Sequence, residues 1–326
     1  MLTTRLTERL GITHPIIQAP MANAAGGGLA AAVSRAGGLG FIGGGYGDRE
    51  WIANEFLKVG NQPVGCGFIT WTLEQDSRPL DETLERNPAA IFLSFGDPEP
   101  YVQRIKKSGA LLICQVQTVK DARHAIDVGA DVIVAQGAEA GGHGESRATM
   151  TLVPEVADMI AKVKEETLLV AAGGIGDGRG LAASLMLGAD GVLVGTRFWA
   201  SSEAQVHANM HRAAIAASGD DTLRTNVLDV VRNLDWAERY TARALKNMFS
   251  DKWHQNTDEL KVAAPQVAEG WAAAWGTGDT EIANTIVGEV TGLISDIKPA
   301  AEIIETMVAE ASDIISNKFR QNVKQK

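Results

Sequence analysis

The sequence predicts an α/β protein, a (β/α)8 TIM barrel followed by a C-terminal helical subdomain. Eight short apolar runs recur between residues 15 and 196, a Gly-rich or polar break follows each run, and stretches of helical period separate them. Eight strands that alternate with helices are typical of a closed parallel barrel. The length of 326 residues suits one such barrel with an appendage.

The eight candidate strands are short and apolar, as strands buried on both faces should be. They span residues 15–20, 39–44, 64–69, 90–95, 111–116, 132–137, 168–173 and 191–196. The intervening segments are alanine-rich or charged, and several close at a glycine that can end a helix, as at Gly37, Gly129 and Gly188.

Beyond about residue 220 the pattern is helical and no further strand is predicted. We expect a barrel over residues 1–224, a helical subdomain over 225–295 that covers the active site, and a C-terminal helix within 296–326. The last helix carries an apolar stripe that packs either on the barrel or across a homodimer. The charged tail from Lys318 onward is expected to fray.

Composition narrows the class of partner. The chain has 30 Lys and Arg against 40 Asp and Glu, a net charge of −10, and no basic cluster, so nucleic acid is not an expected partner. No apolar run reaches ~18 residues and no secretion signal precedes the first strand, so no membrane association is expected. Cys66 and Cys114 lack CxxC spacing and should pack unpaired, which suits a reducing cytoplasm. His207 and His211 lack a third ligand nearby, so no metal is expected.

Residues 132–143, Val-Ile-Val-Ala-Gln-Gly-Ala-Glu-Ala-Gly-Gly-His, combine a buried strand with polar groups just past its end. Barrel enzymes place their chemistry at strand ends, and imidazole is suited to move protons near neutral pH. Gln136, Glu139 and His143 therefore form a candidate site. A structural imidazole satisfied by backbone groups is the alternative for His143, but the glycines around it disfavour that role, because glycine costs conformational entropy.

Three other strand ends have unusual local chemistry. In Gln18-Ala-Pro-Met-Ala-Asn23, Pro20 fixes the backbone so that main-chain groups can face a ligand, with a plain strand-ending proline as the alternative. Ala171-Ala-Gly-Gly-Ile-Gly-Asp-Gly178 and Gly195-Thr-Arg-Phe198 follow the seventh and eighth strands. In barrels these two loops often bind phosphate through glycine N–H groups and a helix N-terminus. A phosphorylated cofactor is expected here, with two tight turns as the alternative.

Several motifs together resemble the nitronate monooxygenase family, formerly called 2-nitropropane dioxygenases. They are Gln18-Ala-Pro-Met21, Ala31-Ala-Val-Ser34 with Ala36-Gly-Gly-Leu-Gly40, Ala135-Gln-Gly-Ala-Glu-Ala-Gly-Gly-His143, Gly173-Gly-Ile-Gly-Asp-Gly-Arg179 and Gly195-Thr-Arg-Phe198. The resemblance covers nearly the whole chain. It implies a flavin-dependent oxidoreductase with noncovalent FMN that uses O2 to oxidise alkyl nitronates, and with them neutral nitroalkanes, to a carbonyl compound and nitrite.

The resemblance also implies roles for individual residues. His143 matches the family's catalytic histidine, a base toward neutral nitroalkanes that also interacts with anionic nitronates. The remaining matches concern the cofactor: the isoalloxazine would be lined by the backbone of Ala19, Pro20 and Met21 and contacted by Gln136 and Gly142, and the phosphate would be held by Gly173, Gly174, Gly195 and Thr196.

Two departures from the family leave the substrate open. Gly67 stands where many members have Asn, so a polar flavin contact is missing, and Ala24-Ala-Gly-Gly-Gly28 stands where a proline is common. An NAD(P)H-dependent flavin reductase of the same barrel, acting on a quinone or an enoyl thioester, is the alternative enzyme. A flavin-binding module without turnover is the alternative from another class, which the His143 cluster disfavours.

Overall fold

The computed structural model describes residues 2–318 and shows a parallel barrel with helices around it. The strands are β1 (Ile16–Gln18), β2 (Gly40–Gly45), β3 (Val64–Ile69), β4 (Ala90–Ser94), β5 (Leu111–Val116), β6 (Val132–Gln136), β7 (Gly142–Gly144), β8 (Leu168–Ala172), β9 (Gly191–Val194), β10 (Thr222–Thr225) and β11 (Thr241–Leu245). Eight of them form one parallel sheet in the order β1-β9-β8-β6-β5-β4-β3-β2. The predicted TIM barrel is confirmed.

The barrel closes between its first two strands. A parallel bridge joins Ile17 to Leu39, and the Gln18 N–H donates to the Leu39 carbonyl at 3.0 Å. All eight predicted strands are present, and their observed ends differ from the predicted ones by at most two residues or so. Buried parallel strands are short continuous apolar runs, which is why local sequence was enough to find them.

Of the fifteen α-helices in residues 2–318, the first precedes β1, the next nine follow the strands of the barrel, and the last five build the C-terminal part. They are α1 (Arg5–Leu10), α2 (Gly27–Arg35), α3 (Arg49–Leu57), α4 (Thr70–Gln75), α5 (Arg78–Leu84), α6 (Glu99–Ser108), α7 (Val119–Val128), α8 (Thr149–Val163), α9 (Gly178–Met186), α10 (Thr196–Trp199), α11 (Ala208–Ala216), α12 (Val227–Val231), α13 (Met248–Trp253), α14 (Thr257–Thr277) and α15 (Ala300–Asp313). Local sequence sets their ends. In α7, for example, the Thr118 hydroxyl accepts from the Asp121 N–H, and Gly129 closes the helix at φ 110°.

Alternating side chains divide the core in two. Along β6, Val132 and Val134 point into the barrel, whereas Ile133 and Ala135 face the helices. The interior includes an edge-to-face pair, Phe41 and Phe92, with ring centroids 5.8 Å apart. The barrel is therefore a filled core, and a ligand finds room only at its ends.

The expectation that strands stop near residue 220 is wrong. β10 and β11 lie beyond that point and pair with β7 in an antiparallel sheet of order β10-β11-β7. Both strands are only four or five residues long and include polar side chains, so neither makes the apolar run by which the barrel strands were found. Residues 225–295 thus contain a strand besides their helices. The division of the chain at 224 and 295 stays a prediction.

The last helix, α15, packs on the barrel. Ile303, Ile304, Met307 and Val308 are buried in the same cluster as the outward-facing side chains of the strands. The Glu310 carboxylate of this helix accepts from the Gly178 N–H at 2.9 Å, at the start of α9. The stripe that suggested a homodimer is therefore covered within the chain. The tail after Lys318 lies outside the described residues.

Two smaller expectations concern cysteines and membranes. Cys66 and Cys114 are both buried and unpaired, as expected. Across residues 2–318, no helix is both long and apolar enough to cross a bilayer.

The packing of β2 on α2 makes Gly40 a test of the fold. A Cβ atom there would lie 1.9 Å from the Ala30 carbonyl oxygen, which belongs to the helix backbone and cannot move aside. Gly40→Ala should lower the free energy of unfolding by about 1–3 kcal/mol, measured by denaturant titration. Gly28→Ala is the matched control, because no atom lies within 4 Å of the added Cβ, and it should be neutral or slightly stabilising. Equal loss in both variants would contradict this packing.

Candidate active site

A cavity of about 480 Å³ lies at the carboxyl ends of the barrel strands. This is the end at which barrel enzymes carry their sites. All ten residues that the sequence singled out line this cavity: Ala19, Pro20, Met21, Gln136, Gly142, His143, Gly173, Gly174, Gly195 and Thr196. The structure thus brings together residues from four separate strand ends.

One wall consists of backbone from the end of β1. The ring of Pro20 stands against β3, where a Cβ added to Gly67 would lie 2.4 Å from the Pro20 Cβ. Main-chain atoms of Met21 fill the space beside Gly43, where an added Cβ would lie 2.2 Å from the Met21 carbonyl oxygen. Gly67, which departs from the family pattern, is therefore explained by its neighbour: any side chain there would displace Pro20.

A second wall consists of the two glycine loops. Gly173 and Gly174 have φ of 104° and 72°, a backbone conformation that favours glycine. Among the hydrogen bonds of the described residues, none has the N–H of Gly174, Gly195 or Thr196 as its donor. The Thr196 hydroxyl accepts from the Gly288 N–H at 3.0 Å, which ties the second loop to the C-terminal part. These loops leave unpaired N–H groups at the cavity, as an anion site requires.

The N-terminus of α9, the helix after the first of these two loops, has its N–H groups occupied. The Asp177 carboxylate accepts from the N–H groups of Arg179 and Gly180 at 2.9 and 3.2 Å, and Glu310 accepts from that of Gly178. The first turn of α9 is therefore capped by two carboxylates of the protein itself. The free N–H groups at the cavity thus come from the loops themselves and from Thr196, at the start of α10, and phosphate binding there stays a prediction.

Gln136, at the end of β6, holds the loop that carries His143. Its side-chain oxygen accepts from Gln117 at 2.8 Å and from Gln115 at 3.2 Å. Its side-chain nitrogen donates to the His143 carbonyl at 3.1 Å. Because a backbone carbonyl can only accept, the nitrogen of the Gln136 amide must face His143, and this determines the orientation of the amide.

His143 lies on β7, beside Ala242 of β11, and its imidazole is held from two sides. Nε2 is 3.0 Å from both carboxylate oxygens of Asp229. Trp236 stacks on the ring face, with centroids 3.4 Å apart and planes 3° apart. Burial lowers the pKa of His143 from its ordinary value, and the Asp229 carboxylate opposes this by favouring the charged imidazole. His143 is thus a buried imidazole oriented by a carboxylate and an aromatic ring.

Asp229 and Trp236 were missed by sequence reasoning. Asp229 is 3% exposed and lies in α12, where it interrupts the apolar run Val227-Leu228-Asp229-Val230-Val231. An acid in an otherwise apolar helical turn was the available signal, since such a group is buried only with a partner. Trp236 has no comparable signal in the local sequence, although it contacts the candidate catalytic side chain.

Glu139, which sequence placed with Gln136 and His143, has a structural contact instead. Its carboxylate accepts from the Thr149 N–H at 3.0 Å and from the Thr149 hydroxyl at 2.8 Å, at the start of α8. The N-cap residue Ala148 has no side-chain oxygen to do this. Glu139 therefore caps α8 from a distance of ten residues.

The histidine pair after the barrel is engaged elsewhere. The His207 Nδ1 accepts from the Asn209 N–H at 3.2 Å and caps α11. The His211 Nε2 lies 2.9 Å from the Trp199 carbonyl oxygen, and the ring is half-buried against Trp199.

Comparison with known proteins identifies the family. The sequence profile of the nitronate monooxygenases matches residues 3–65 and 67–310 of this chain. The chain belongs to the nitronate monooxygenase family. A nitronate monooxygenase of Neurospora crassa is 35% identical over an alignment of 350 positions. This alignment covers 92% of this chain and 89% of the relative. Members of the family are flavin-dependent oxidoreductases, so this chain is such an enzyme, and the resemblance stated above is confirmed.

Other similar proteins show how widely this barrel is used. FabK of Thermotoga maritima superposes with a TM-score of 0.87 at 33% identity, covering 99% of this chain and 100% of its own. A nitroalkane oxidase of Streptomyces ansochromogenes superposes with a TM-score of 0.79 at 24% identity, with 96% and 98% coverage, and shows the fold alone. A (3aS,4S,5R,7aS)-5-hydroxy-7a-methyl-1-oxo-octahydro-1H-indene-4-carboxyl-CoA dehydrogenase of Mycobacterium tuberculosis is 30% identical, with 95% and 96% coverage.

The cap formed by Glu139 gives a test of its structural role. Glu139→Ala removes the acceptor of the Thr149 N–H and should lower the free energy of unfolding by about 1–2 kcal/mol in a denaturant titration. Glu166 is exposed and lies three residues after the end of α8. Glu166→Ala is the control and should leave the free energy of unfolding nearly unchanged. A Glu139→Ala protein as stable as the wild type would contradict this capping role.

Proposed function

We propose that this protein oxidises alkyl nitronates with FMN and O2 to a carbonyl compound and nitrite, and that it also accepts neutral nitroalkanes after His143 has removed a proton. The observation that carries the proposal is the buried His143 imidazole at a cavity whose opposite walls are the β1 backbone and the glycine loops. Membership of the family supports the oxidation of nitronates.

The cavity suits a flavin mononucleotide. Gly174, Gly195 and Thr196 offer N–H groups without protein acceptors, so an incoming phosphate would satisfy them. A Cβ at Gly195 would meet only Ala19 and Met21, at 3.7 and 3.9 Å, so the loop leaves room for a ligand beside β1. FMN would supply the electron transfer that none of these side chains can perform.

The chain's own residues would then position and protect the cofactor. Ala19, Pro20 and Met21 would line the ring plane through their backbone, with Pro20 kept rigid by its contact with β3. Gly142 has φ of 73° and only Ile286 near the place of a Cβ, at 3.8 Å, so a flat ring could approach its backbone. Gln136 would offer its amide to the polar edge, and Gly173 would shape the phosphate loop.

His143 would act as the base. Because burial lowers its pKa, the imidazole is neutral, and therefore able to accept a proton, over a wider pH range than an ordinary histidine. Turnover of a neutral nitroalkane should rise with pH as this group loses its proton and then level off. Anionic nitronates need no such step, and their oxidation should depend less on this ionisation.

The alternative is an NAD(P)H-dependent flavin reductase acting on a quinone or an enoyl thioester. An enoyl reductase domain of Bacillus amyloliquefaciens with 14% identity has this fold, at a TM-score of 0.78. Nicotinamide nucleotides and coenzyme A thioesters carry several phosphates, for which cationic side chains are the usual partners. Among the described residues that line the cavity, Arg232 is the single Arg or Lys, and it is bound to Asp229 at 3.2 Å. The charge of the cavity therefore favours a small substrate with O2.

We propose a cytoplasmic setting for this reaction, supported by the two buried thiols that remain unpaired. A homodimer is not needed to complete the cavity, since every residue invoked above comes from one chain.

Aerobic turnover tests the function. Purified protein should release FMN on heating, and with ethylnitronate it should consume O2 and form nitrite, whereas NADH and NADPH should be oxidised no faster than with free FMN. Nitronate turnover would be followed with an oxygen electrode and a colorimetric nitrite assay. Rapid NAD(P)H oxidation with a quinone, without nitrite from any nitronate, would replace the proposal by the reductase alternative. Failure with all of these substrates would favour the flavin-binding module.

His143→Ala tests the base. With FMN retained, turnover of neutral nitroethane should fall by about 10²- to 10⁴-fold, because general base catalysis typically contributes that factor. Steady-state rates at saturating O2 would measure it. His124→Ala, an exposed histidine paired with Asp97 away from the cavity, is the matched control and should keep full activity. Full nitroethane turnover by the FMN-loaded His143→Ala protein would show that His143 is not the base.

A further inference from the structure

Asp229 has contacts that packing alone does not require. The side chain lies on α12, is almost fully buried, and places both carboxylate oxygens 3.0 Å from Nε2 of His143, which is 86 residues earlier in the chain. Burying a charge is costly unless it is paired and hydrogen-bonded. A residue of this kind, held against the side chain proposed as the base, calls for a chemical explanation.

The carboxylate is fixed on its other side by Arg232. The Arg232 Nη2 donates to Asp229 Oδ1 at 3.2 Å, while its Nε donates to the Leu228 carbonyl at 2.8 Å. The guanidinium also lies over the rings of Tyr46 and Trp271, at 5.9 and 5.8 Å from their centroids. These contacts hold the guanidinium in place. A guanidinium can only donate hydrogen bonds and a carboxylate can only accept them, so Arg232 is the donor and Asp229 the acceptor.

The imidazole has no freedom to turn. Trp236 covers one face in a parallel stack, and the Trp236 Nε1 donates to the Tyr46 hydroxyl at 3.2 Å. Phe95 meets His143 edge-on at 6.1 Å between centroids. With Nε2 directed at Asp229, Nδ1 is the nitrogen left over. In residues 2–318 no hydrogen bond to Nδ1 is found, and Nδ1 is not among the buried unpaired atoms.

We propose that Asp229 is a positioning residue: it accepts the proton-bearing Nε2 of His143 and thereby leaves the lone pair of Nδ1 free at the cavity. The position of the proton on His143 does not depend on the proposed function, but the use of the Nδ1 lone pair does. In the proposed reaction of a neutral nitroalkane, the C–H bond next to the nitro group breaks, its proton goes to Nδ1, and its electron pair stays on the substrate as the nitronate. The resulting imidazolium lies against the negative charge of Asp229, which stabilises it.

Several charged or titratable groups surround His143. Burial lowers the pKa of the imidazole, and the Asp229 carboxylate raises it. Arg232, three residues after Asp229, and Arg224 on β10 also lower this pKa. Tyr46 and Tyr240 contribute hydroxyl groups nearby, and burial raises the pKa of both, so they stay neutral. Removal of the Asp229 charge leaves only influences that lower the pKa. The imidazole of an Asp229→Asn protein should therefore lose its proton at a lower pH than that of the wild type.

The Asp229→Asn substitution should also weaken the preference for one tautomer. Arg232 donates to the Oδ1 position, so the oxygen of the introduced amide would remain there, 3.0 Å from Nε2, and the NH2 group would take the Oδ2 position, also 3.0 Å from Nε2. Nε2 would then face one acceptor and one donor in place of two acceptors, so a larger share of the imidazole should carry its proton on Nδ1, where it blocks the base.

The decisive measurement is a 15N-histidine NMR titration of the FMN-loaded protein, which distinguishes the two tautomers directly. Wild-type His143 should carry its proton on Nε2 at high pH. In Asp229→Asn the titration should move to lower pH and the share of the Nδ1–H tautomer should rise. A wild-type Nδ1–H tautomer would overturn the proposal, and this measurement does not depend on whether the variant folds. An unchanged titration in a folded Asp229→Asn protein would overturn it as well.

Activity separates positioning from a merely structural role. Asp229→Asn should lower nitroethane turnover by at least about tenfold, while ethylnitronate oxidation, which needs no proton removal, changes much less. Asp229→Glu, which keeps the carboxylate, should restore the Nε2–H tautomer. Asp235→Asn removes the same charge at an exposed position of the same segment and is the matched control. Equal losses with both substrates would contradict positioning. A wild type that oxidises no nitronate would contradict the proposed function, and the NMR result would still decide the role of Asp229.

Discussion

The pairing of β7 with β11 is the constraint on which the candidate site depends. Three residues that follow β6 form this short strand, and the register sets His143 beside Ala242 and Gly142 beside Arg243. The same loop is held again where the Arg243 Nε donates to the Ala138 carbonyl at 3.0 Å. Because β11 belongs to the C-terminal part, its position determines where the imidazole lies over the barrel. α12 and the Trp236 segment follow from the same connection, since they lie between β10 and β11.

Aromatic packing completes this arrangement by excluding water. Tyr46 and Phe95 lie just after β2 and β4, and Trp71 lies in the first turn of α4. These three side chains meet Trp236 at centroid distances of 6.4 Å for Tyr46, 5.7 Å for Trp71 and 5.1 Å for Phe95. Tyr240 adds a fourth edge-on contact to Trp236, at 6.1 Å. Charges interact more strongly where water is excluded, so the pair formed by His143 and Asp229 acts on the imidazole more than an exposed pair would. In the proposed function, the barrel thus supplies the walls of the cofactor site, and the C-terminal part supplies the carboxylate and the stacked ring beside the proposed base.

Local sequence was sufficient for the barrel and for half of the site. Each barrel strand is an apolar run with a turn after it, and the residues at those turns, such as Pro20, Gly173 and His143, meet at one end by the geometry of the fold. The partners of these residues could not be found in the same way. Asp229 is 86 residues from His143, and only the pairing of two short polar strands brings them together. The caps of α9 and α8 pose the same difficulty. Glu310 and Glu139 are 132 and 10 residues away from the N–H groups that they accept from, so the residues around the start of either helix do not reveal its cap.

We propose that a nitronate, and not a nicotinamide nucleotide, gives its electrons to a flavin bound in this cavity. Anaerobic stopped-flow absorbance measures this electron transfer, with FMN-loaded protein mixed separately with ethylnitronate, NADH and NADPH. We expect the flavin absorbance to bleach within the turnover time with ethylnitronate and to persist with either nucleotide. Bleaching by a nucleotide with none by the nitronate would contradict this proposal and would show that the flavin in this barrel serves a reductase.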